Sequence, residues 1–464
     1  MKKFISILLF FIAVSCSLAP KYNPPEILLP EKYKNLSGAY ISNNKWWRHF
    51  NSEVLNQFID EALANNKDIA ISLAKIEKAA ALITSAKSNY YPKFNGSIQG
   101  SQSWIKGNEV TGNSMPFLAG LNVSWQIDLF GRYKNTTLSA KASFLSNKYV
   151  YEGVVLSIIS QTISTFYLLN SLDLQLKIAE KTIISREKTV KIYKERYEAG
   201  LISLFDYSQM KSSLEEAKKM YYNIKISREN TETALMILIG KSPKEIYEKN
   251  IENTENIENI FILPVIPEGL PSSLLERRPD IKSAEQNIIV ANANIGVAKA
   301  MYFPNISLTG LFGIVSQQFE SLFTNPLLGW NYVGALNVPL LNFGEISSKV
   351  KEAEALKKEA ILNYEKTVQK AFADLRKSLI NQTEKRKILK SLEIMKDELK
   401  TAYNIAIIQY EKGFISYIDL LETERNLFET EINLAQARSD YILSIVDVCV
   451  SLGGGFNQSE DEKE

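Results

Sequence analysis

Between Phe117 and Leu129 the chain alternates: Phe117, Ala119, Leu121, Val123, Trp125, Ile127 and Leu129 take the odd positions, and Gly120, Asn122, Ser124, Gln126 and Asp128 fill even positions between them. A period of two predicts a strand with one apolar and one polar face. The same pattern marks 94–105 (Phe94, Gly96 and Ile98 against Asn95, Ser97 and Gln99), 306–315 (Ile306, Leu308, Gly310, Phe312) and 330–341 (Tyr332, Gly334, Leu336, Val338). Each candidate runs about ten residues, the length a tilted strand needs to cross a bilayer. A closed barrel needs at least about eight strands, so four per chain predict that several copies share one sheet. A soluble sheet of two hairpins covered by helices stays open as the alternative.

Elsewhere the pattern is helical and long. Between Gly131 and Gly200 there is no Pro and a single Gly, Gly153; between Gly344 and Gly413 there is neither. Each stretch is 68 residues, which as one helix would be on the order of 100 Å long. The second carries an apolar stripe at Ala353, Leu356, Ala360, Tyr364, Val368, Ala371, Leu375 and Leu379. Its mean step, roughly 3.7 residues, points to a broad packed array of helices instead of an isolated two-stranded coiled coil.

These elements occur twice. Residues 68–97 align on 280–309 without a gap, and ten of the thirty positions are identical, among them Asp68/Asp280, Ala86/Ala298, Tyr90/Tyr302 and Pro92/Pro304. At an offset of 213 the register continues through Phe130-Gly131 on Phe343-Gly344, Gly200 on Gly413, Asp206 on Asp419 and Gly240 on Gly453. Two copies are too few for a solenoid, so the pattern predicts a duplicated fold.

At the N-terminus Lys2 and Lys3 precede the apolar run Phe4 to Val14, then Ser15 and Cys16. This order describes an export signal, too short to span a bilayer. Ala13-Val14-Ser15-Cys16 resembles a bacterial lipobox, with Cys16 as the lipidated residue; an ordinary cleaved signal is the alternative. No later run of 18 or more apolar residues occurs, so a membrane crossing falls to strands. Composition then narrows the chemistry. The net charge of +2, from 54 Lys+Arg and 52 Asp+Glu, gives no basic surplus for nucleic acid. One histidine, His49, and two cysteines, Cys16 and Cys449, leave no set for a His-ligated zinc site, a Ser-His-Asp triad or a disulfide framework. No phosphate-binding loop or cofactor fingerprint appears, and an enzyme is not expected.

Several segments resemble the TolC-like outer-membrane factor family, in its OprM/NodT-type lipoprotein branch. They are Cys16 to Tyr22; Trp46-Trp47-Arg48-His49-Phe50; Trp125 to Arg132; Leu274-Leu275-Glu276-Arg277-Arg278-Pro279-Asp280-Ile281; and Phe303-Pro304. The resemblance spans 16–456. It implies a mixed α and β membrane protein: a homotrimer with a twelve-stranded outer-membrane β-barrel, four strands per chain, continuing into a long periplasmic α-helical barrel. The expected function is the exit duct of a tripartite efflux pump, passing small molecules such as drugs from periplasm to exterior. Its expected partners are outer-membrane lipid, a periplasmic adaptor protein and an inner-membrane transporter of the resistance-nodulation-division type. A type I protein secretion channel and a non-conducting periplasmic spacer lipoprotein remain alternatives. The expected division is a signal at 1–15, a lipidated segment and first helix at 16–67, repeats at 68–240 and 272–456, a linker at 241–271 and an acidic tail at 457–464.

Gly200 and Gly413 stand where the two long helices must reverse. By resemblance these reversals form the periplasmic tip, with Arg196, Tyr197, Gly200, Asp206, Tyr410 and Gly413 at the adaptor-docking end. Ile418, Asp419, Glu422 and Arg425 match the family's gate residues. Asp419 and Glu422 are three apart on one helix face, and threefold symmetry would stack them as two carboxylate rings that favour cations and can retain a proton. Ile415 stands where some members carry an arginine, so closure is expected to rest on Tyr410, Asp206 and Arg425. Within Arg278-Pro279-Asp280, proline extends the residue before it and aspartate can cap the following helix, so this motif is read as a helix start.

Overall fold

A computed structural model of the chain describes residues 17–25, 45–100, 103–106, 111–114, 117–248, 251 and 277–454. The expected signal, Cys16, most of the linker and the acidic tail lie outside the described residues. A 3-10 turn, Trp46–Phe50, leads into α1 (Glu53–Asn65), α2 (Lys67–Ser88), β1 (Lys93–Gly100), β2 (Ser103–Lys106), β3 (Thr111–Ser114) and β4 (Phe117–Ile127). Then come α3 (Arg132–Glu198), α4 (Leu204–Leu238), α5 (Pro243–Glu248), α6 (Pro279–Ala300), β5 (Asn305–Ser316), α7 (Ser321–Thr324), β6 (Leu327–Asn337), α8 (Glu345–Glu411) and α9 (Tyr417–Ser451). Helices of 22, 67 and 35 residues occur in that order twice, as α2, α3, α4 and as α6, α8, α9.

Two compact units share these elements, Met1–Ile27 with Ala74–Tyr149 and Lys282–Lys366, and Leu28–Leu73 with Val150–Ile281 and Thr367–Glu464. The first holds an antiparallel sheet in the order β1-β4-β5-β6. Its register decides what each face presents, because directly opposed residues point the same way. Phe94 is opposite Val123, Leu121 opposite Phe312, and Phe312 opposite Trp330. On the other face Asn95 meets Asn122, Ser124 meets Thr309, and Ser307 meets Ala335. The apolar face is open: Phe94, Phe312, Trp330 and Tyr332 are all exposed, Tyr332 at 78%.

Two strand boundaries differ from the sequence reading. The run expected at 94–105 divides, because β2 leaves the main sheet and pairs with β3 as a separate two-stranded sheet. The run expected at 330–341 is displaced to Leu327–Asn337, since Leu327 and Leu328 pair with Val315 and Ile314 and Pro339 has no amide hydrogen to continue the ladder. Residues 241–271, read as a linker, open with the helix α5, whose start Ser242 and Glu245 cap reciprocally.

Within the same unit the N-terminal stretch is tied down. Ser17 Oγ donates to Asn135 Oδ1 (2.8 Å), Asn292 Nδ2 to the Pro20 carbonyl (2.7 Å) and the Tyr22 hydroxyl to Glu285 (3.0 Å). A Cβ on Gly296 would lie 2.4 Å from Asn135 Nδ2 and 2.9 Å from Ala19 Cβ, so glycine leaves the space this segment fills.

The second unit holds the main apolar core. Trp46, Trp47 and Phe50 of the 3-10 turn pack with Leu55 and Ile59 of α1, with Ile163, Phe166 and Tyr167 of α3, and with Tyr441, Ile445 and Val446 of α9. Full burial of each such aliphatic or aromatic side chain contributes about 1.5–3 kcal/mol. α3 contains one stretch long and apolar enough to cross a membrane. Its residues Ile159, Ile163, Phe166 and Tyr167 are buried in this core, which accounts for their hydrophobicity. Arg278 does more than begin a helix. It forks onto Asp280 (3.0 and 2.8 Å) and donates to the Ser451 carbonyl (3.1 Å), joining the start of α6 to the end of α9. In the α8 stripe Ala353, Tyr364, Val368, Ala371 and Leu375 are buried, while Leu356 is exposed.

Candidate functional site

The two long helices end in the same construction. At the end of α3, Gly200 N–H donates to the Tyr197 carbonyl and Leu201 N–H to that of Arg196, both at 2.9 Å. At the end of α8, Gly413 donates to Tyr410 and Phe414 to Gln409, again at 2.9 Å. Gly200 and Gly413 have φ of 74° and 76°, the left-handed conformation that ends a helix in this motif and that glycine adopts without strain.

The next helix then starts in the same way in both places. Ser203 caps α4 and Ser416 caps α9, each hydroxyl accepting from the amide of the aspartate three residues on. The aspartates answer: Asp206 Oδ2 accepts from Ser203 Oγ at 2.6 Å and Asp419 Oδ2 from Ser416 Oγ at 2.7 Å. Hydrogen bonds from the Ser416 side chain and backbone hold Asp419 below the ordinary aspartate range. Within one chain these bonded partners stabilise the charged form of Asp419.

Tyrosines fasten the region beside the reversals. The Tyr193 and Tyr410 hydroxyls are 2.5 Å apart, and Arg196 Nη1 donates to Tyr410 Oη at 3.1 Å. The Tyr417 ring packs on Tyr193 (centroids 4.6 Å) and edge-on against Tyr410 (5.5 Å), while Tyr197 stacks on Tyr207 (5.5 Å). Tyr193, Met210 and Leu421 are buried at the centre of this cluster. Burial, reinforced by Tyr410, raises Tyr193 well above the ordinary phenol range; burial and the Glu424 charge do the same to Tyr417.

Within one chain Tyr410, Asp206 and Arg425 bond to other residues and not to one another. Asp206 is engaged by Ser203, Tyr410 by Tyr193 and Arg196, and Arg425 Nη2 pairs with Glu216 at 3.0 Å. On α9, Ile418, Asp419, Glu422 and Arg425 are all exposed. Deeper inside, Arg186 is buried: its Nη1 donates to the Ser213 carbonyl at 2.7 Å, its Nε lies 3.6 Å from Glu424, and its guanidinium sits over the Phe428 ring.

Sequence reasoning did not find Arg186, Tyr193, Glu216 or Glu424. A signal for the first two was present: Leu172, Ala179, Arg186 and Tyr193 stand seven apart and all are buried. A charged residue in a buried heptad seam marks an internal partner. Among the described residues no group of three or more His, Cys, Asp or Glu is placed to hold a metal ion.

Known proteins share this architecture. The family profile described as outer membrane efflux protein matches residues 58–241 and 270–454. The cation efflux system protein CusC of Escherichia coli K12 is 28% identical over 456 residues, covering 95% of this chain and 96% of that protein. The probable outer membrane lipoprotein SilC of Salmonella typhimurium is 28% identical, with 98% and 99% covered. Among solved structures, the Campylobacter jejuni CmeC outer membrane channel superimposes with a TM-score of 0.89 at 31% identity, over 96% of each chain.

Proposed function

The chain belongs to the outer membrane efflux protein family, and on that premise we propose that three copies build one passive exit duct. It is an outer-membrane efflux channel, in a family of channels. The observation that carries the trimer is the sheet. Its apolar face is uncovered, and β1 and β6 each have a strand neighbour on one side only among the described residues. Three such sheets joined edge to edge make twelve strands, enough for a barrel whose apolar face meets lipid. The matched helix lengths support reading the two halves as copies of one unit, their long helices forming a periplasmic helical barrel.

In this reading Cys16 carries the lipid anchor, and the reversals at Gly200 and Gly413 form the closed periplasmic tip. Arg196, Tyr197, Asp206 and Tyr410 stand at the docking end for a periplasmic adaptor, beyond which an inner-membrane transporter of the resistance-nodulation-division type supplies the energy. Ile418, Asp419, Glu422 and Arg425 line the gate, where threefold repetition concentrates carboxylates and favours cations. The cargo is small molecules, drugs or metal ions among them; selectivity belongs to the transporter. Purified protein in detergent is expected to give crosslinked trimers and to conduct in planar bilayers. A soluble, non-conducting monomer would overturn the duct.

A further inference from the structure

Where the sheet passes into the helices, the two copies meet within the chain at one stacked aromatic pair. Phe130, just after β4 in the first copy, lies on Phe303, just before β5 in the second, with ring centroids 4.6 Å apart. Both belong to the unit that holds the sheet. Each has a counterpart in the other copy. Phe130-Gly131 recurs as Phe343-Gly344, and Phe303 recurs as Tyr91, between the matched Tyr90/Tyr302 and Pro92/Pro304. The backbone repeats too. Tyr91 N–H donates to the Ser88 carbonyl and Phe303 N–H to that of Ala300, both at 3.2 Å. Gly131 and Gly344 have φ of 71° and 91°, and their carbonyls accept from the amides of Asn135 and Ser348, each at 2.9 Å.

The counterparts do not meet. Phe343 is 93% exposed and Tyr91 69%, so the stack formed by one equivalent pair is open in the other. Phe343 also stands at φ 45°, a positive angle that among the described non-glycine residues it shares with Asn51 alone. A bulky L side chain leaves this left-handed region unless its surroundings hold it there. An exposed ring on a strained residue, beyond the end of the edge strand β6, is a group placed for a partner.

Strand order says which partner. Phe130 follows β4 and Phe303 precedes β5, and those two strands pair. Phe343 follows β6 and Tyr91 precedes β1, the two strands that end the sheet. When two copies alternate around a closed ring, each first-to-second boundary inside a chain is followed by a second-to-first boundary between chains. The hairpins themselves match, Lys93–Ser124 of the first corresponding to Asn305–Asn337 of the second. On that correspondence the β4–β5 pair Val123–Gly310 becomes Leu336 opposite Ile98 of the partner subunit. The apolar face then continues unbroken across the boundary, whereas a slip of one residue would set Leu336 against Ser97 or Gln99 of the partner subunit.

We propose that Phe343 stacks on Tyr91 of the partner subunit, an aromatic clasp at each chain boundary that repeats the Phe130–Phe303 stack inside each chain. The clasp rests on the trimeric reading above, and its test separates the two. The full chain carrying Cys449→Ala, Tyr91→Cys and Phe343→Cys is treated in neutral detergent with a short bismaleimide. It is expected to give covalent dimers and trimers on SDS gels, whereas either new cysteine alone gives neither. The Phe130→Cys/Phe303→Cys chain, also with Cys449→Ala, is expected to link internally and run as a monomer. A lysine-directed crosslinker reports the trimer independently. Trimers from the lysine reagent, with monomers alone from the Tyr91→Cys/Phe343→Cys chain, would overturn the clasp and leave the duct; monomers alone from both would overturn the two together. A second measurement removes the rings. Phe343→Gly keeps the left-handed turn, which glycine adopts freely, and Tyr91→Ala removes the other half of the stack. Each is expected to speed dissociation of the trimer in dilute SDS about two- to tenfold, and the double variant to dissociate no faster than the faster single one. Rates that multiply in the double variant would overturn the clasp.

Discussion

The hydroxyls of Tyr193 and Tyr410 lie 2.5 Å apart and join α3 to α8 just before both helices end. Arg196 donates to the same Tyr410 oxygen, and Tyr417 covers both rings. One residue from each reversal is thereby held by its neighbour, and a tip that opens by parting α3 from α8 must break this contact. Tyr410→Phe removes the shared oxygen while keeping the ring. It is expected to weaken the α3–α8 contact by about 0.5–1.5 kcal/mol per hydrogen bond lost and to raise the open probability in single-channel records. Tyr193→Phe is expected to act in the same direction and less strongly, because Arg196 retains its acceptor. Wild-type gating in both variants would remove this contact from the closing mechanism.

Asp419 has two tasks in the proposed gate, and they separate by mutation. Its carboxylate closes the capping box on Ser416, whereas Glu422 on the same exposed face has no such bond to a capping residue. Glu422→Gln therefore tests pore charge alone and is expected to lower cation selectivity with little effect on the start of α9. Ser416→Ala tests the cap alone, at a cost of about 1 kcal/mol, read as faster amide exchange in the first turn of α9. Unchanged selectivity in Glu422→Gln would remove that residue from the gate.

The cap also carries a pH dependence of known sign. Because the folded-state pKa of Asp419 is lowered by Ser416, this group stabilises the helix start above its unfolded pKa of about 3.9. The contribution disappears as pH falls through the folded value. First-turn amides of α9 are expected to lose protection on acidification below about pH 4, and Asp419→Asn to abolish the pH step. Identical pH profiles in the two proteins would contradict the cap.

Arg186 and Glu424 form a buried pair with the opposite slope. Burial raises Glu424, and Arg186 draws it back down. A carboxylate raised on folding disfavours the folded state once it must ionise, so its contribution falls as pH rises from the ordinary glutamate range through the raised value. Arg186→Met leaves Glu424 unpaired and is expected to destabilise by about 3–5 kcal/mol when that carboxylate is charged. Thermal unfolding should show a smaller loss near pH 4 than near pH 7, and Arg186→Met/Glu424→Leu should recover much of it. A pH-independent loss would assign the effect to packing.

In the sheet, Gly120 and Gly313 oppose each other between β4 and β5. A Cβ on Gly313 would lie 2.4 Å from the Ala119 carbonyl oxygen and 2.6 Å from Gly120 Cα, so backbone and not a movable side chain blocks it. Gly313→Val is expected to cost about 1–3 kcal/mol through overpacking and to lower the yield of crosslinkable trimer. Gly329→Val, where the nearest atom is 3.7 Å away on the Val315 side chain, should be tolerated better. Equal yields would mean that the β4–β5 contact adapts.

Much of this architecture was legible in the linear order of residues because it rests on local rules. Alternation at Phe117–Ile127 is a property of successive side chains, and Gly200, Ser203 and Asp206 form their turn and cap from neighbours within a few positions. The recurrence at an offset of 213 carried the reversal at Gly200 to Gly413, while the caps made by Ser203 with Asp206 and by Ser416 with Asp419 emerged only in the structure. Strand ends were less legible, since pairing decides them: Leu327 and Leu328 extend β6 only because Val315 and Ile314 are opposite.

The chain order alone determined the strand faces, the two long uninterrupted helices, their reversals and the repeat, all of which follow from periodicity and backbone preference. The tertiary structure decided which charges meet. Arg425 turns to Glu216 instead of Asp206, and Arg186 reaches Ser213 and Glu424. Long side chains at exposed helical positions have several partners within reach, and only the packing of α3, α4, α8 and α9 selects among them.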